Sequence, residues 1–416
     1  MSFEVIFMYS FNGKTFAPSL VNNNGTLVAA MCKGVTGKKW GYIEIVTMRS
    51  ADAGKTWGDE VVAIAPPART ISEDENNTKS AFFLNPVLAA APNGDLVMLV
   101  TFYPESQGSA KAKDLEKKKT AFTYFDGVYC PIVYDRDKSF YILMTDGAVV
   151  DKTKARTAFT VKGIGDLYQG EEYVGNIYLN GAKGKSEGEE ETTFGSVLKS
   201  PKRSYIFALT SSDNGLTWSE PVNITGNIFA ANDGAILETA NGNAVVTSTG
   251  RIIVPLKTGK KSVAIYSDDN GITWHRNSRM LYTATQGDWT AFQTSDNKVQ
   301  GFAGKKSASS SDNGINWDKG IKLPKLPKKS LKSAAALGDS VFVTAPTGKK
   351  GGGSLTIGDS VFNKKGKYKG IKWRKAKTPI TDGTFAASSI TPITANSLGV
   401  MFEDGDKVNF TLINVE

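Results

Sequence analysis

The sequence predicts an all-β protein built from repeated four-stranded units, as in a β-propeller. Two observations predict this class: a short turn motif recurs four times, and apolar segments rich in β-branched and aromatic residues precede its copies. No segment keeps the 3.6-residue apolar spacing of an amphipathic helix over three turns. With 40% hydrophobic and 22% charged residues, the 416-residue chain has the composition of a globular protein with a core.

The recurring motif reads Ser-x-Asp-x-Gly-x-Thr/Asn-Trp. Its Asp can accept hydrogen bonds from backbone N–H groups just ahead, its Gly accepts a positive φ, and its Trp begins the return strand beneath the turn. Each copy therefore predicts a tight hairpin, and four copies predict a repeated β unit. The motif residues are Ser50, Asp52, Gly54 and Trp57; Ser211, Asp213, Gly215 and Trp218; Ser267, Asp269, Gly271 and Trp274; and Ser310, Asp312, Gly314 and Trp317.

The spacing of the motifs indicates the domain organisation. The copies begin at residues 50, 211, 267 and 310, and the last two intervals fit one blade each, at roughly 40 to 50 residues per repeat. The first interval is too long for one blade, so we expect an extra blade and a small inserted β domain with a mobile loop at 105–200. Residues 1–104 and 201–416 then form the propeller, and we expect the C-terminal strand to close the ring by pairing with the first blade.

These motifs resemble the Asp boxes, or BNR repeats, of the sialidase (neuraminidase) superfamily. Residues 16–20 and 24–29 resemble the family's opening Phe-Arg-Ile-Pro-Ser-Leu and the strand after it. Residues 165–178 are similar to part of the inserted β domain of bacterial-type exo-sialidases, and residues 399–403 resemble a later blade. The resemblance covers essentially the whole chain, and it implies a six-bladed β-propeller with a small inserted β domain.

The resemblance also implies where the chemistry of the family would reside. In the family, three arginines bind the substrate carboxylate, a Tyr activated by a Glu attacks the sugar, and an Asp protonates the leaving oxygen. Only the acid that orients the first arginine is retained, as Glu403. The departures are Phe16, Ala303 and Gly352 at the arginines, Ala387 at the tyrosine, Asp288 at its activating acid, and Cys32 at the acid/base.

These departures predict that sialidase activity is lost, and we assign no catalytic residue, cofactor or metal. The chain is then a structural scaffold or a protein-interaction module. Two alternatives stay open. One is a divergent exo-sialidase that hydrolyses terminal sialic acids; the other is a lectin that binds a glycan without cleaving it, using exposed aromatic residues such as Trp40, Tyr282 and Trp289.

Positive charge is concentrated in one part of the chain. Residues 301–380 hold seventeen Lys and Arg374 against four Asp, a net charge of +14, whereas the remaining residues sum to −5. This asymmetry predicts a basic face for an acidic protein such as a filament surface; a solvated surface that keeps the protein soluble is the simpler interpretation. Nucleic acid is less favoured, because Arg and interleaved aromatic residues are scarce there. The candidate contact residues are Lys322, Lys325, Lys328, Lys329, Lys332, Lys349, Lys350, Lys364, Lys365, Lys367, Lys369 and Lys372.

Several classes are excluded or disfavoured by the sequence. No apolar run approaches the roughly 18 residues that cross a bilayer. Cys32 and Cys130 cannot form a disulfide framework, and the single histidine, His275, excludes His-rich metal sites. The N-terminus lacks the pattern of a secretory leader, so we expect a cytoplasmic protein, with secretion or a cell-surface location as the alternative if a leader was removed.

Overall fold

The protein is a six-bladed β-propeller with a sheet inserted into its second blade, which confirms the predicted fold class. Apolar β-branched and aromatic residues form the strands, and each blade is an antiparallel sheet that packs face to face on its neighbours. The computed structural model describes residues 3–34, 41–67, 80–105, 121–125, 127–179, 182–183, 193–194, 196–201, 203–230, 233–258, 261–277, 288–303, 306–319, 323, 331–347, 351–366 and 368–415.

Strand β1 (Phe3–Ser10) joins the last blade, and blades one and two follow it. Blade one comprises β2 (Thr15–Asn23), β3 (Thr26–Gly34), β4 (Ile43–Ser50) and β5 (Val61–Ile64). Blade two opens with β6 (Phe82–Ala90) and β7 (Leu96–Tyr103), and all eight residues of β7 are buried. The chain then leaves the propeller before blade two is complete.

The insertion between the second and third strands of blade two contains an antiparallel meander of seven strands. These are β8 (Phe122–Phe125), β9 (Val128–Tyr134), β10 (Phe140–Leu143), β11 (Ala148–Val150), β12 (Arg156–Lys162), β13 (Asp166–Gln169) and β14 (Glu172–Asn176). A two-stranded ribbon follows, β15 (Ala182–Lys183) and β16 (Thr193–Phe194). The ring of Phe122 stacks on Phe229 of the propeller at a centroid distance of 4.5 Å, which attaches the meander to the propeller.

Blade two is completed by β17 (Tyr205–Ser211) and β18 (Val222–Asn223), and the helical turn α1 (Thr225–Ile228) leads to blade three. Blade three comprises β19 (Glu238–Thr239), β20 (Val245–Val246), β21 (Ile252–Thr258), β22 (Lys261–Ser267) and β23 (His275–Arg276). Blade four comprises β24 (Trp289–Gln293), β25 (Val299–Ala303), β26 (Lys306–Ser310) and β27 (Asp318–Lys319). Blade five comprises β28 (Ser333–Leu337), β29 (Ser340–Pro346), β30 (Gly353–Phe362) and β31 (Tyr368–Thr381).

The sixth blade holds both ends of the described chain. It comprises β32 (Ser388–Thr394), β33 (Ser397–Asp404) and β34 (Lys407–Val415), with β1 as its outermost strand. Strand β34 pairs with β1 from Phe3 opposite Val415 to Ser10 opposite Asn409. The partner of the C-terminal strand therefore precedes blade one, whereas the sequence predicts a partner within it.

The first strand of each blade lines the centre of the ring, and the loop between β19 and β20 reaches across it. Asn243, in the loop between β19 and β20, accepts a hydrogen bond from the backbone N–H of Leu20 in blade one at 3.2 Å. Its side-chain amide donates to the carbonyl of Ile390 in blade six at 2.9 Å. Asn243 thus links three blades close to the axis.

The two ends of the ring carry different features. Because neighbouring strands are antiparallel, the start of each first strand and the end of each second strand lie at one end, which we call the site face. The insertion leaves and re-enters at this face, since it joins the second and third strands of blade two. The motif turns join third and fourth strands and lie at the opposite end, the box face. Within the described part of the chain, no helix is long and apolar enough to span a bilayer.

Candidate functional site

Four of the positions at which the sequence departs from, or keeps, the sialidase pattern lie together on the site face. Phe16 at the start of β2 pairs with Cys32 near the end of β3, and both side chains are buried. The N–H of Ala17 points to the Glu403 carboxylate at 3.5 Å, and the N–H of Glu403 donates to the carbonyl of Ala387 at 2.8 Å. Blades one and six thus bring Phe16, Cys32, Ala387 and Glu403 into one region.

An aromatic ring lies over the region predicted to correspond to the third arginine. Gly352 has a φ of +80°, and its N–H donates to the carbonyl of Gly383. The ring of Phe385 lies directly on the backbone of the next residue, Gly353, where a Cβ atom would overlap it. Phe385 is 6% exposed and stacks on Phe402 at 5.2 Å, so an apolar pair fills this part of the site face.

Asp288 belongs to a separate polar group, which we call the Lys257 cluster: Tyr103, Glu238, Lys257 and Asp288. The Lys257 ammonium lies 3.1 Å from a Glu238 oxygen and 3.1 and 3.2 Å from the two Asp288 oxygens. The Tyr103 hydroxyl donates to the other Glu238 oxygen. The ends of strands in blades two and three and the residue ahead of β24 in blade four supply these side chains.

The charges within the Lys257 cluster fix its protonation. Burial alone lowers the pKa of Lys257, but the charges of Glu238 and Asp288 outweigh burial and raise that pKa above its ordinary value. Burial, together with the Glu238 charge, raises the pKa of Tyr103 well above its ordinary value. Lys257 is therefore an ammonium and Tyr103 a neutral phenol at neutral pH. No pattern in the sequence indicated Tyr103 or Glu238; a lysine at the sixth position of a mostly apolar strand was the available indication of Lys257.

Five of the described arginines are engaged at other places. Four form ion pairs with nearby aspartates, and the fifth, Arg203, is buried with its guanidinium carbon 4.3 and 4.9 Å from the ring centroids of Phe122 and Phe229. The ion pairs are Arg156 with Asp146, Arg251 with Asp268, Arg276 with Asp233, and Arg374 with Asp359. Ala303, at the position predicted to correspond to the second arginine, is buried and pairs with Trp289 across β24 and β25.

The four motif turns share the backbone hydrogen bonds that their Ser and Asp side chains accept. In the first, Ser50 Oγ accepts from the N–H of Gly54 at 2.8 Å, and the Asp52 carboxylate accepts from the N–H and the hydroxyl of Thr56 at 2.9 and 2.6 Å. The Trp57 indole donates to the carbonyl of Gly54 at 3.1 Å. The copy at Asp269 repeats this arrangement, and in the copy at Asp312 the side-chain amide of Asn316 replaces the threonine hydroxyl. The indole of Trp218 instead donates to Thr47 of blade one.

Each motif turn also contacts the preceding blade. Gly54 lies against Phe410 of blade six, Gly271 against Val97 of blade two, and Gly314 against the side chain of Ile253 in blade three. These three glycines have φ values between +79° and +89° and leave no room for a Cβ atom. The turns therefore set the packing between blades on the box face.

Comparisons with known proteins agree with this architecture. A family of BNR repeat-like domains matches residues 192–342. Sialidase B of Streptococcus pneumoniae serotype 4 is 22% identical over 263 residues, 58% of this chain and 37% of that protein. Sialidase-4 of Mus musculus is 31% identical over 149 residues, 29% of this chain and 30% of that protein. The structure of an intramolecular trans-sialidase from Ruminococcus gnavus superposes with a TM-score of 0.76 at 21% identity, covering 96% of this chain and 94% of that one.

The chain has the BNR repeats and the propeller fold of the sialidase superfamily. The four motifs, the six blades and the matched repeat domain all agree with this assignment. The matched segments span only about a third of the length of the two curated relatives, so the likeness concerns the fold and its repeats. What the protein does within the superfamily is a separate question.

The basic contact surface predicted from the sequence is corrected at one position. Lys332, just before β28, is 7% exposed, and burial lowers its pKa to about 8. It precedes a strand that lines the centre of the ring, so its position in the fold buries it and removes it from the surface. Lys364, Lys365, Lys369 and Lys372 are exposed. Lys322, Lys325, Lys328, Lys329, Lys349, Lys350 and Lys367 lie outside the described residues.

The aromatic residues suggested for a glycan-binding pocket are corrected as well. Trp289 is 3% exposed, and its indole donates to the carbonyls of Leu256 and Val263 at 2.9 and 3.2 Å. Trp289 is the first residue of β24, the first strand of blade four. Its side chain lies in the core between blades three and four. Trp40 and Tyr282 lie outside the described residues.

Proposed function

We propose that the protein is a sialidase-like propeller that does not hydrolyse sialosides and acts as a scaffold that binds other proteins. The observation that carries this proposal is the apolar filling of the site face by Phe385 and Phe402 over Gly353. A sialic acid carboxylate needs charged, forked donors, and a buried phenylalanine offers none. Buried Phe16, Cys32 and Ala387 support the same conclusion, since none of them can act as a guanidinium, a carboxylic acid or a phenol.

Charge on the site face supports the loss of a carboxylate ligand as well. The Lys257 ammonium is already paired with the Glu238 and Asp288 side chains, at 3.1 Å from an oxygen of each. It therefore offers no unpaired cation to the carboxylate of a sugar. The role of a scaffold is supported by the rigid propeller and by the exposed lysines of blade five, which would attract an acidic protein.

The experiment is release of the fluorophore from a fluorogenic sialoside by the purified full chain, beside an active sialidase at equal concentration. Measuring the fluorophore detects hydrolysis and internal transfer alike. We expect a rate at the level of the buffer control, because removing the nucleophile and the acid costs several orders of magnitude. Turnover within about a hundredfold of the active enzyme would overturn the proposal.

A second candidate, a lectin that binds a neutral glycan, is favoured by the partial exposure of the Lys257 cluster. The Asp288 side chain is 30% exposed, and its carboxylate could accept hydrogen bonds from sugar hydroxyls. A glycan array probed with the full chain and with the Asp288→Asn variant tests it. Binding of neutral glycans that is lost in the variant would favour the lectin; an array without bound glycans would end it.

A further inference from the structure

Strand β31 is an unusual edge of the propeller. It is 14 residues long, the longest described strand, and extends roughly 45 Å at 3.3 Å per residue. Within the described part of the chain, it is the outermost strand of blade five and pairs only with β30. Five of its residues are Lys or Arg and none is acidic.

The charge of β31 is directed outward. Lys369, Lys372, Lys375 and Lys377 are exposed, and Lys364 and Lys365 extend the charge into the preceding turn. Arg374 differs from these lysines, because Asp359 of β30 binds its guanidinium at 2.7 and 3.1 Å. The positive charge therefore exceeds the carboxylate charge along this edge.

The apolar residues of β31 face the propeller. Trp373 lies 6.1 Å from Phe302 of blade four, and Ile371 packs on the same apolar group. The exposed side chains of β31 are thus mainly lysines, and none of its described aromatic rings is fully exposed for stacking on the bases of single-stranded nucleic acid. Lysine is a compact point charge suited to clustered carboxylates.

An edge of this kind discriminates between partners. Lysines on an edge strand repel the same edge of a second copy and so prevent pairing between identical chains. The same lysines attract a strand of opposite charge, and the outward N–H and C=O groups of β31 can pair with its backbone. An extended acidic segment would match both the positive charge of the lysines and the outward N–H and C=O groups of β31.

We propose that β31 binds an extended acidic polypeptide segment, which adds to blade five as a fifth strand. The backbone of the segment pairs with the edge, and its carboxylates lie beside Lys369, Lys372, Lys375 and Lys377. This inference rests on the proposed scaffold function and names the kind of partner that the scaffold takes.

The test measures the anisotropy of a labelled peptide of alternating Glu and Thr, about as long as β31, titrated with the full chain over a salt series. The test variant replaces Lys369, Lys372, Lys375 and Lys377 by Glu. The matched control replaces four exposed lysines elsewhere by Glu, namely Lys55, Lys138, Lys152 and Lys407, so that both proteins have the same net charge. We expect binding that weakens as salt rises, and an affinity at least about tenfold lower for the test variant than for the control.

Two N-methylated peptides separate strand addition from simple attraction of charge. Each carries methyl groups on alternate backbone nitrogens, one peptide on the odd and the other on the even residues. In an added strand only every second N–H faces the edge, so we expect one peptide to bind and the other to fail. Equal binding of both, equal loss in the control variant, or preferential binding of RNA or anionic vesicles would overturn the inference. The sialoside measurement is independent: turnover there with normal peptide binding would overturn the proposed loss of activity alone.

Discussion

The ring of Phe385 occupies the space that a side chain at residue 353 would need. Gly353 begins β30, and the ring lies on its backbone from the neighbouring blade. The choice of residue at position 353 therefore depends on the residue at position 385. The Phe385 ring can lie on this backbone only while residue 353 is a glycine. This relationship gives the first prediction.

The Gly353→Ala variant should be destabilised by about 1–3 kcal/mol, because the added methyl group overlaps the ring. Phe385→Ala should cost about 3–5 kcal/mol, as for other buried phenylalanines. The double variant should cost less than the sum, since the smaller side chain at residue 385 makes room for the methyl group at residue 353. Urea unfolding of the four proteins measures this coupling, and additive free energies would show that the two residues do not interact.

Substitution of a motif glycine should cost more than substitution of a glycine with the same backbone in open space. Gly54 and Gly25 have φ values of +89° and +93°, but Gly54 lies on Phe410, whereas no atom lies near the Cβ position of Gly25. Gly25→Ala should lose about 1–2 kcal/mol from the backbone alone. Gly54→Ala should lose about 1–3 kcal/mol more through overlap between blades. Equal losses by thermal or urea unfolding would contradict a packing role for the turn.

The motif carboxylates should make the protein sensitive to acid. The hydroxyl of Thr56 lowers the pKa of Asp52 to about 2, and the hydroxyl of Thr217 does the same for Asp213. Because the folded pKa lies below the unfolded one, the stabilisation is complete above the ordinary value of 3.8 and is lost as pH falls towards 2. Unfolding measured between pH 5 and pH 2, as a rough range, should show a smaller loss for Thr56→Val than for the wild type. If the free energy of unfolding depends on pH identically in the two proteins, the hydrogen bond from Thr56 to Asp52 is not the source of the acid sensitivity.

Removing the ammonium of the Lys257 cluster should leave two partly buried carboxylates facing each other. Lys257→Met should cost about 3–5 kcal/mol at neutral pH, as for other broken buried ion pairs. Because the pKa of Lys257 is raised in the folded protein, its stabilising contribution is complete below the ordinary value of 10.5 and declines as pH rises above it, so the difference between wild type and variant should narrow in alkali. Adding Glu238→Gln and Asp288→Asn should restore part of the loss. A difference that does not change with pH would mean that packing, rather than charge, is what the substitution removes.

The sequence predicted the features that depend on neighbouring residues. Each motif turn is closed by contacts within eight residues, such as Thr56 with Asp52, so its shape can be derived from the local pattern. Four such turns, with strands between them, were sufficient for the propeller. The local pattern did not predict the contact of Trp218, whose indole donates a hydrogen bond to Thr47 in another blade.

The features that were missed or misplaced depend on contacts between distant parts of the chain. Lys257 meets Asp288 across two blades, and no spacing in the sequence links them. Lys332 and Trp289 were assigned to the surface by their place in a basic segment and by their residue type, but each stands at the start of a first strand, where neighbouring blades cover it. Strand β1 could pair with either end blade by its composition, and only the assembled ring determines that it joins blade six.

The pairing of β1 with β34 has a mechanical consequence. Phe3 and Val415 lie directly opposite each other, at one end of the ladder that holds the ring shut. A force that pulls these two residues apart acts along the hydrogen bonds, which lie perpendicular to the strands, and breaks them one pair at a time. A force applied at Ser10 and Val415 runs along the strands instead and loads all the pairs together. The propeller should therefore open at low force when it is pulled at Phe3 and Val415. It should resist a much larger force when it is pulled at Ser10 and Val415.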